Sequence, residues 1–145
     1  MVLVVPPSHD WADQEVEVDA LKQQPLLMRE FGSGSRRAIV AAGLQKKDLK
    51  IQKELDSTEG LLSAVEAGLG VTIVSRWAVR NQLSLGTLKI ARVRGLKLLR
   101  QFSIAYPAGP VPTGNARAFH RFLLSRSSDL ARRPTGKHPN VRAVV

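Results

Sequence analysis

The chain has no cysteine in its 145 residues. Disulfides, thiolate metal sites and cysteine nucleophiles are therefore excluded, and the absence fits a reducing, cytoplasmic setting. No apolar stretch approaches the roughly 20 residues that a membrane-spanning helix needs. The opening Met-Val-Leu-Val-Val is too short for the apolar part of a signal peptide and runs straight into Pro6 and Pro7, so no membrane partner is expected. Aromatic side chains make up 5% of the residues and include a single tyrosine, which leaves little from which to build stacking platforms for single-stranded nucleic acid. Acidic residues are also few, 12 against 22 lysines and arginines, giving a formal net charge of +10. No Gly-Lys-Ser/Thr ending follows a glycine-rich stretch, so there is no phosphate loop of the Walker type. His9 sits in a proline-rich loop and reads as a turn residue. No nucleophile, base and orienting group occur together. The chain is therefore expected not to be an enzyme, with no catalytic residue, no metal site and no cofactor.

What remains is an ordinary globular composition, 43% hydrophobic and 23% charged, in a length suited to one domain with a modest core. The basic charge is scattered. It gathers at Arg36-Arg37, at Lys46-Lys47, between Arg92 and Arg100, and in the tail from Arg126 onward. A basic nucleic-acid-binding protein and a solvated basic surface account for this distribution about equally well.

The stretch from Glu54 to Ser75 organises the chain. It reads as the end of a strand, a capped helix, a glycine-broken turn and a second strand. Asp56 or Ser57 can cap the helix, and with Asp56 in that role Glu59 completes a capping-box spacing. Leu61, Leu62, Val65 and Leu69 fall on one helical face. Gly68 and Gly70 end the helix. Val71 to Val74 is apolar on both faces, as a strand covered on both sides is. Such a strand-helix-strand unit sets the helix N-terminus at the carboxyl edge of a parallel sheet, where small ligands bind. The same pattern also describes a plain scaffold.

Val2 to Val5 reads as a strand, and Ser8 to Trp11 as a loop. Val16, Val18 and Leu21 suggest a helical turn, and Pro25 to Arg29 a buried strand. The turn Glu30-Phe31-Gly32-Ser33-Gly34-Ser35-Arg36-Arg37 follows. Its glycines allow a tight turn, its serines offer caps for the helix that ends near Gly43, and the exposed N–H groups with a nearby arginine suit a carboxylate or phosphate. A strand from Leu49 to Leu55 precedes the organising unit. After it come a short helix over Arg76 to Leu83 with Trp77 as a core anchor, a strand around Leu88, Ile90 and Val93, and a last strand over Phe102 to Tyr106. The Pro/Gly linker Ala108 to Gly114 leads to a helix from Asn115 to Ser125, capped by Asn115 or Thr113, with Ala116, Phe119, Phe122 and Leu123 on one face.

Specific strings in this order resemble the effector-binding (substrate-binding) domain of LysR-type transcriptional regulators. They are Val4 to His9, Arg29 to Arg36, Glu54 to Glu59, Ala64 to Val71, Ser75 to Val79, Leu85 to Leu88, Arg100 to Phe102 and Ala118 to Leu123, within residues 2–125. The resemblance implies an α/β fold, a three-layer sheet-and-helix subdomain like that of the type 2 periplasmic binding proteins, followed by a C-terminal helix. It implies that residues 1–106 are the second subdomain and that 107–125 cross back and supply the last helix of the first subdomain; the polar, basic composition of 126–145, with prolines at 134 and 139, predicts a mostly disordered tail. On this reading the chain is a truncated regulator without its DNA-binding domain, and DNA is reached only through that absent domain. The partner is a small anionic effector such as an organic acid. The implied effector-binding residues are Arg29, Glu30, Gly32, Ser33, Gly34, Ser35, Arg36, Asp56, Ser57 and Thr58. An interaction module that self-associates or pairs with a full-length regulator is the alternative, since the face of Phe119, Phe122 and Leu123 lacks a partner.

Overall fold

A computed structural model describes residues 1–99 and 113–132, with side chains of the last helix described through Arg126. The chain divides into two compact units, Met1–Arg100 and Gln101–Val145. The first unit contains strands β1 (Val2–Val5), β2 (Glu15–Val16), β3 (Leu26–Arg29), β4 (Ile51–Leu55), β5 (Val71–Val74) and β6 (Lys89–Val93). Its helices are α1 (Val18–Gln23), α2 (Gly34–Ala41), α3 (Thr58–Glu66) and α4 (Arg80–Leu85). The second unit contributes α5 (Gly114–Arg132).

The six strands form one sheet in the order β2-β6-β1-β5-β3-β4. β3 is parallel to both β4 and β5, whereas β1 is antiparallel to its neighbours β5 and β6. β1 is thus the one reversed strand, and β3, β4 and β5 present their carboxyl ends along the same edge. Strand alternation divides the core. Leu3, Val5, Leu26, Met28, Val71 and Ile73 face one side, where Leu21 of α1 and Ile39 of α2 cover them. Val4, Leu27 and Val74 face the other side, beneath Leu61, Leu62 and Val65 of α3 and Val79 and Leu88. Helices therefore cover both faces of the sheet, in three layers. Thr72, buried in β5, donates its hydroxyl hydrogen bond to the Leu27 carbonyl at 2.7 Å, so its polar atom costs the sheet little.

The entry to β5 is tight. Gly70 has φ +155°, and a Cβ placed there would lie 2.6 Å from the Pro25 carbonyl oxygen. That same oxygen accepts the Val71 N–H at 3.0 Å. Close approach of two backbones, rather than turn formation alone, demands glycine here. Gly68, at φ +77° with open space around it, ends α3.

Several details differ from the sequence reading. Leu69 is 56% exposed, because α3 stops at Glu66 and the left-handed Gly68 swings the chain off the helical face. Trp77 is 48% exposed rather than a core anchor. The helix begins at Arg80 instead of Arg76, so Trp77 lies in the preceding turn and Val79 fills the core position. The segment around Val16 splits into a two-residue strand paired with β6 and the helix α1. α5 does not end at Ser125 but continues to Arg132. On α5, Phe119 and Phe122 are exposed and Leu123 is half-buried. The expected strand at Phe102–Tyr106 and the linker over Ala108–Pro112 lie outside the described residues.

Candidate functional site at the carboxyl edge of the sheet

β3 and β4 end together, with Arg29 opposite Leu55 in the register, and the Glu30 N–H extends the ladder to the Leu55 carbonyl at 3.1 Å. Each strand then leads into a helix, and the two helices lie on opposite faces of the sheet. At the first, Gly32 (φ +89°) turns the chain, and the Ser33 hydroxyl caps α2 by accepting the Arg36 N–H at 3.3 Å. Gly34 is not part of the turn, since it is the first helical residue. At the second, the Ser57 hydroxyl caps α3 by accepting the Gly60 N–H at 3.0 Å. Asp56 is therefore not the cap. It lies one residue before the cap and is exposed. The shorter serine hydroxyl reaches the third helical N–H from the extended backbone of position 57. The first two N–H groups of each helix, those of Gly34 and Ser35 and of Thr58 and Glu59, meet no acceptor among the described residues. They give the edge a partial positive charge from both sides.

Side chains tie the two helix starts together. Arg29 donates Nη1–H to the Thr58 hydroxyl at 2.8 Å. Its Nε–H and Nη2–H grip the two carboxylate oxygens of the adjacent Glu30, at 2.7 and 3.0 Å. Those bonds hold the Glu30 carboxyl below the usual carboxylate range. Arg36 is directed differently. It is buried, its Nη1 lies 2.7 Å from Glu54 Oε1 on β4, and it also donates to the Arg29 carbonyl at 3.4 Å. The Arg36 hydrogen bond lowers the Glu54 carboxyl in the same sense, with Lys46 adding attraction from 3.7 Å. Arg36 thus braces α2 against β4 and is already engaged. Phe31 is 88% exposed, with the Arg36 guanidinium 5.8 Å from its ring centre.

Of the ten residues singled out from the sequence, the structure gathers all at this edge, in the two segments Arg29–Arg36 and Asp56–Thr58. Ser35 is half-buried in the first turn of α2. Glu54 was not among the ten. Its signal is faint, a carboxylate one residue before the end of an edge strand, beside Met28 in the register. Among the described residues no group of three or more histidines and carboxylates could hold a metal ion. Among them, too, no helix is long and apolar enough to cross a membrane.

A sheet edge with two capped helix starts fits the expected family, and comparison with known proteins decides it. The LysR substrate binding domain model matches residues 1–128. The chain belongs to this family. Its curated relatives include the RuBisCO operon transcriptional regulator of Acidithiobacillus ferrooxidans, 35% identical over 118 residues, which cover 81% of this chain and 38% of the relative. An HTH-type transcriptional regulator of Mycobacterium tuberculosis is 35% identical over 136 residues, covering 88% of this chain and 44% of the relative. The chain therefore spans less than half the length of these relatives. Among solved structures, the regulatory domain of CcmR from Synechocystis PCC6803, in complex with 2-PG, superimposes with a TM-score of 0.69 at 21% identity over 86% of this chain and 61% of that one. That likeness establishes the LysR-type regulatory-domain fold, which is of the periplasmic-binding-protein kind. Both of these curated relatives are transcriptional regulators.

Proposed function

We propose that this LysR-type chain supplies one wall of an effector cleft, and that the carboxyl edge of β3 and β4 is that wall. Residues 1–106 would be one lobe of the effector-binding domain, and 107–125 the return to the other lobe. The effector would be a small anion, a carboxylate or phosphate, bound in the cytoplasm to bias an oligomeric regulator whose DNA-binding segment lies elsewhere. The chain would act by binding and not by catalysis. One observation carries the reading: two helices on opposite faces of the sheet start at the same strand ends, tied by the Arg29–Thr58 hydrogen bond. Strand ends where successive helices pass to opposite faces are where ligands enter open α/β sheets. The 2-PG found in the CcmR regulatory domain supports a small ligand in this fold.

A panel of small carboxylates and phosphate esters, screened by thermal unfolding of the full chain, tests this. Saturation at a hundred times Kd stabilises the native state by about 2.7 kcal/mol. For a domain of this size that raises Tm by roughly 10 °C or more. Arg29→Ala and Ser57→Ala are expected to lower the shift. A panel that leaves Tm unmoved overturns the proposal.

A further inference from the structure

Arg29 stands at the proposed wall with its side chain 22% exposed, and it already carries a carboxylate. Glu30, the next residue, occupies the Nε/Nη2 side of the guanidinium through both of its oxygens. This is the paired geometry with which arginine recognises a carboxylate or phosphate from any source. The pair contributes little to holding the fold. Glu30 is 42% exposed, and its partner is its own sequence neighbour, so the contact closes no long loop and joins no two elements. The bond that does join elements, Nη1 to Thr58, uses a different part of the guanidinium and leaves the Glu30-facing side unaffected.

We infer that Glu30 is a built-in competitor: its carboxylate occupies the Arg29 fork that an effector oxyanion would use, and it must swing aside for that oxyanion to bind. The inference rests on the proposed effector site and adds a residue that sets affinity there. Glu30 keeps Arg29 satisfied when no ligand is present, which holds the guanidinium in place against Thr58. It also sets a threshold. Weakly basic or singly contacting anions do not displace it, while a ligand that offers two oxygens to Arg29 does. Loss of Glu30 should therefore tighten oxyanion binding and relax selectivity among anions.

The test uses the full chain, titrated separately with inorganic phosphate and with benzoate, and followed by amide chemical shifts of Arg29, Ser33 and Thr58. Glu30→Gln and Glu30→Ala are expected to tighten binding of either probe by roughly threefold to tenfold. The alanine variant is included because a glutamine amide oxygen can still accept one bond from Arg29. Glu59→Gln removes the same charge from the exposed first turn of α3 without touching Arg29, and is expected to change affinity by less than about twofold, the screened share of the field. In the Arg29→Gln/Glu30→Ala double variant the gain should vanish. Equal tightening by Glu59→Gln and Glu30→Ala, or a gain that persists without Arg29, overturns the inference while leaving the effector site standing. Absence of binding by the parent chain and by every variant overturns both. A response to phosphate but not to benzoate identifies the effector group as a phosphate, and the reverse identifies a carboxylate.

Discussion

Gly70→Ala is the most discriminating single change to the scaffold beneath this site. The added methyl would sit 2.6 Å from the Pro25 carbonyl oxygen and 3.2 Å from Leu27 Cγ. The first neighbour is backbone, fixed by the Val71 N–H that it accepts, so it cannot rotate away. Two costs add. A φ of +155° strains an alanine by roughly 1 kcal/mol or somewhat more. Forcing β5 away from the start of β3 costs about 1–3 kcal/mol, as overpacking does. The total is about 2–4 kcal/mol, which lowers Tm on the order of 10–25 °C in a domain of this size. Gly68→Ala is the internal control. Its φ is +77° but nothing lies within 4 Å, so it carries strain alone, about 1 kcal/mol and about 4–8 °C. Differential scanning calorimetry of both variants, with urea titrations for the free energies, separates the terms. If Gly70→Ala loses no more than Gly68→Ala, the close approach of the two backbones is not what holds this position to glycine.

Two further outcomes follow from the caps and the ion pairs. Ser57→Ala should destabilise the chain by about 1 kcal/mol through loss of the α3 cap, while Asp56→Ala should stay within about 0.5 kcal/mol of the parent in urea denaturation. Glu30 and Glu54 are both held below their ordinary value of 4.5 by Arg29 and Arg36, so the stability that these pairs contribute is complete above that pH and is lost as pH falls through the lowered folded values; Glu54→Gln should flatten the acid limb of a Tm-versus-pH profile.

Much of this was legible in the chain because short-range rules and periodicity agreed. Val2–Val5 and Val71–Val74 are dense in β-branched residues, and Leu61, Leu62 and Val65 repeat at helical spacing, so each appears in the core where expected. The choice between Asp56 and Ser57 was not legible, since both residues cap well and only the backbone of position 57 decides between them. Trp77 misled because a large apolar ring suggests burial, yet its position in a turn left it outside. β2 has two residues, too few to carry a period. At the site, the gathering of the Arg29 and Asp56 segments was implied by the family resemblance, and the pairing of β3 with β4 brings it about. The division of labour between the arginines was not implied. Arg29 and Arg36 look alike in sequence, and only the β3–β4 register sets Glu54 beside one of them while Glu30 faces the other.

The reversed central strand has a consequence for how the protein is made. β1 pairs on one side with Val71–Val74 and on the other with Lys89–Val93, and with nothing nearer in sequence. As the chain leaves the ribosome, Val-Leu-Val-Val must wait, with both hydrogen-bonding edges open, until most of the lobe has been synthesised. Local helices can form in the meantime, but the sheet cannot close around its centre before β6 emerges. During that interval β1 keeps open edges that invite wrong pairing, while β3 and β4, which pair with each other and emerge before β6, can already come together.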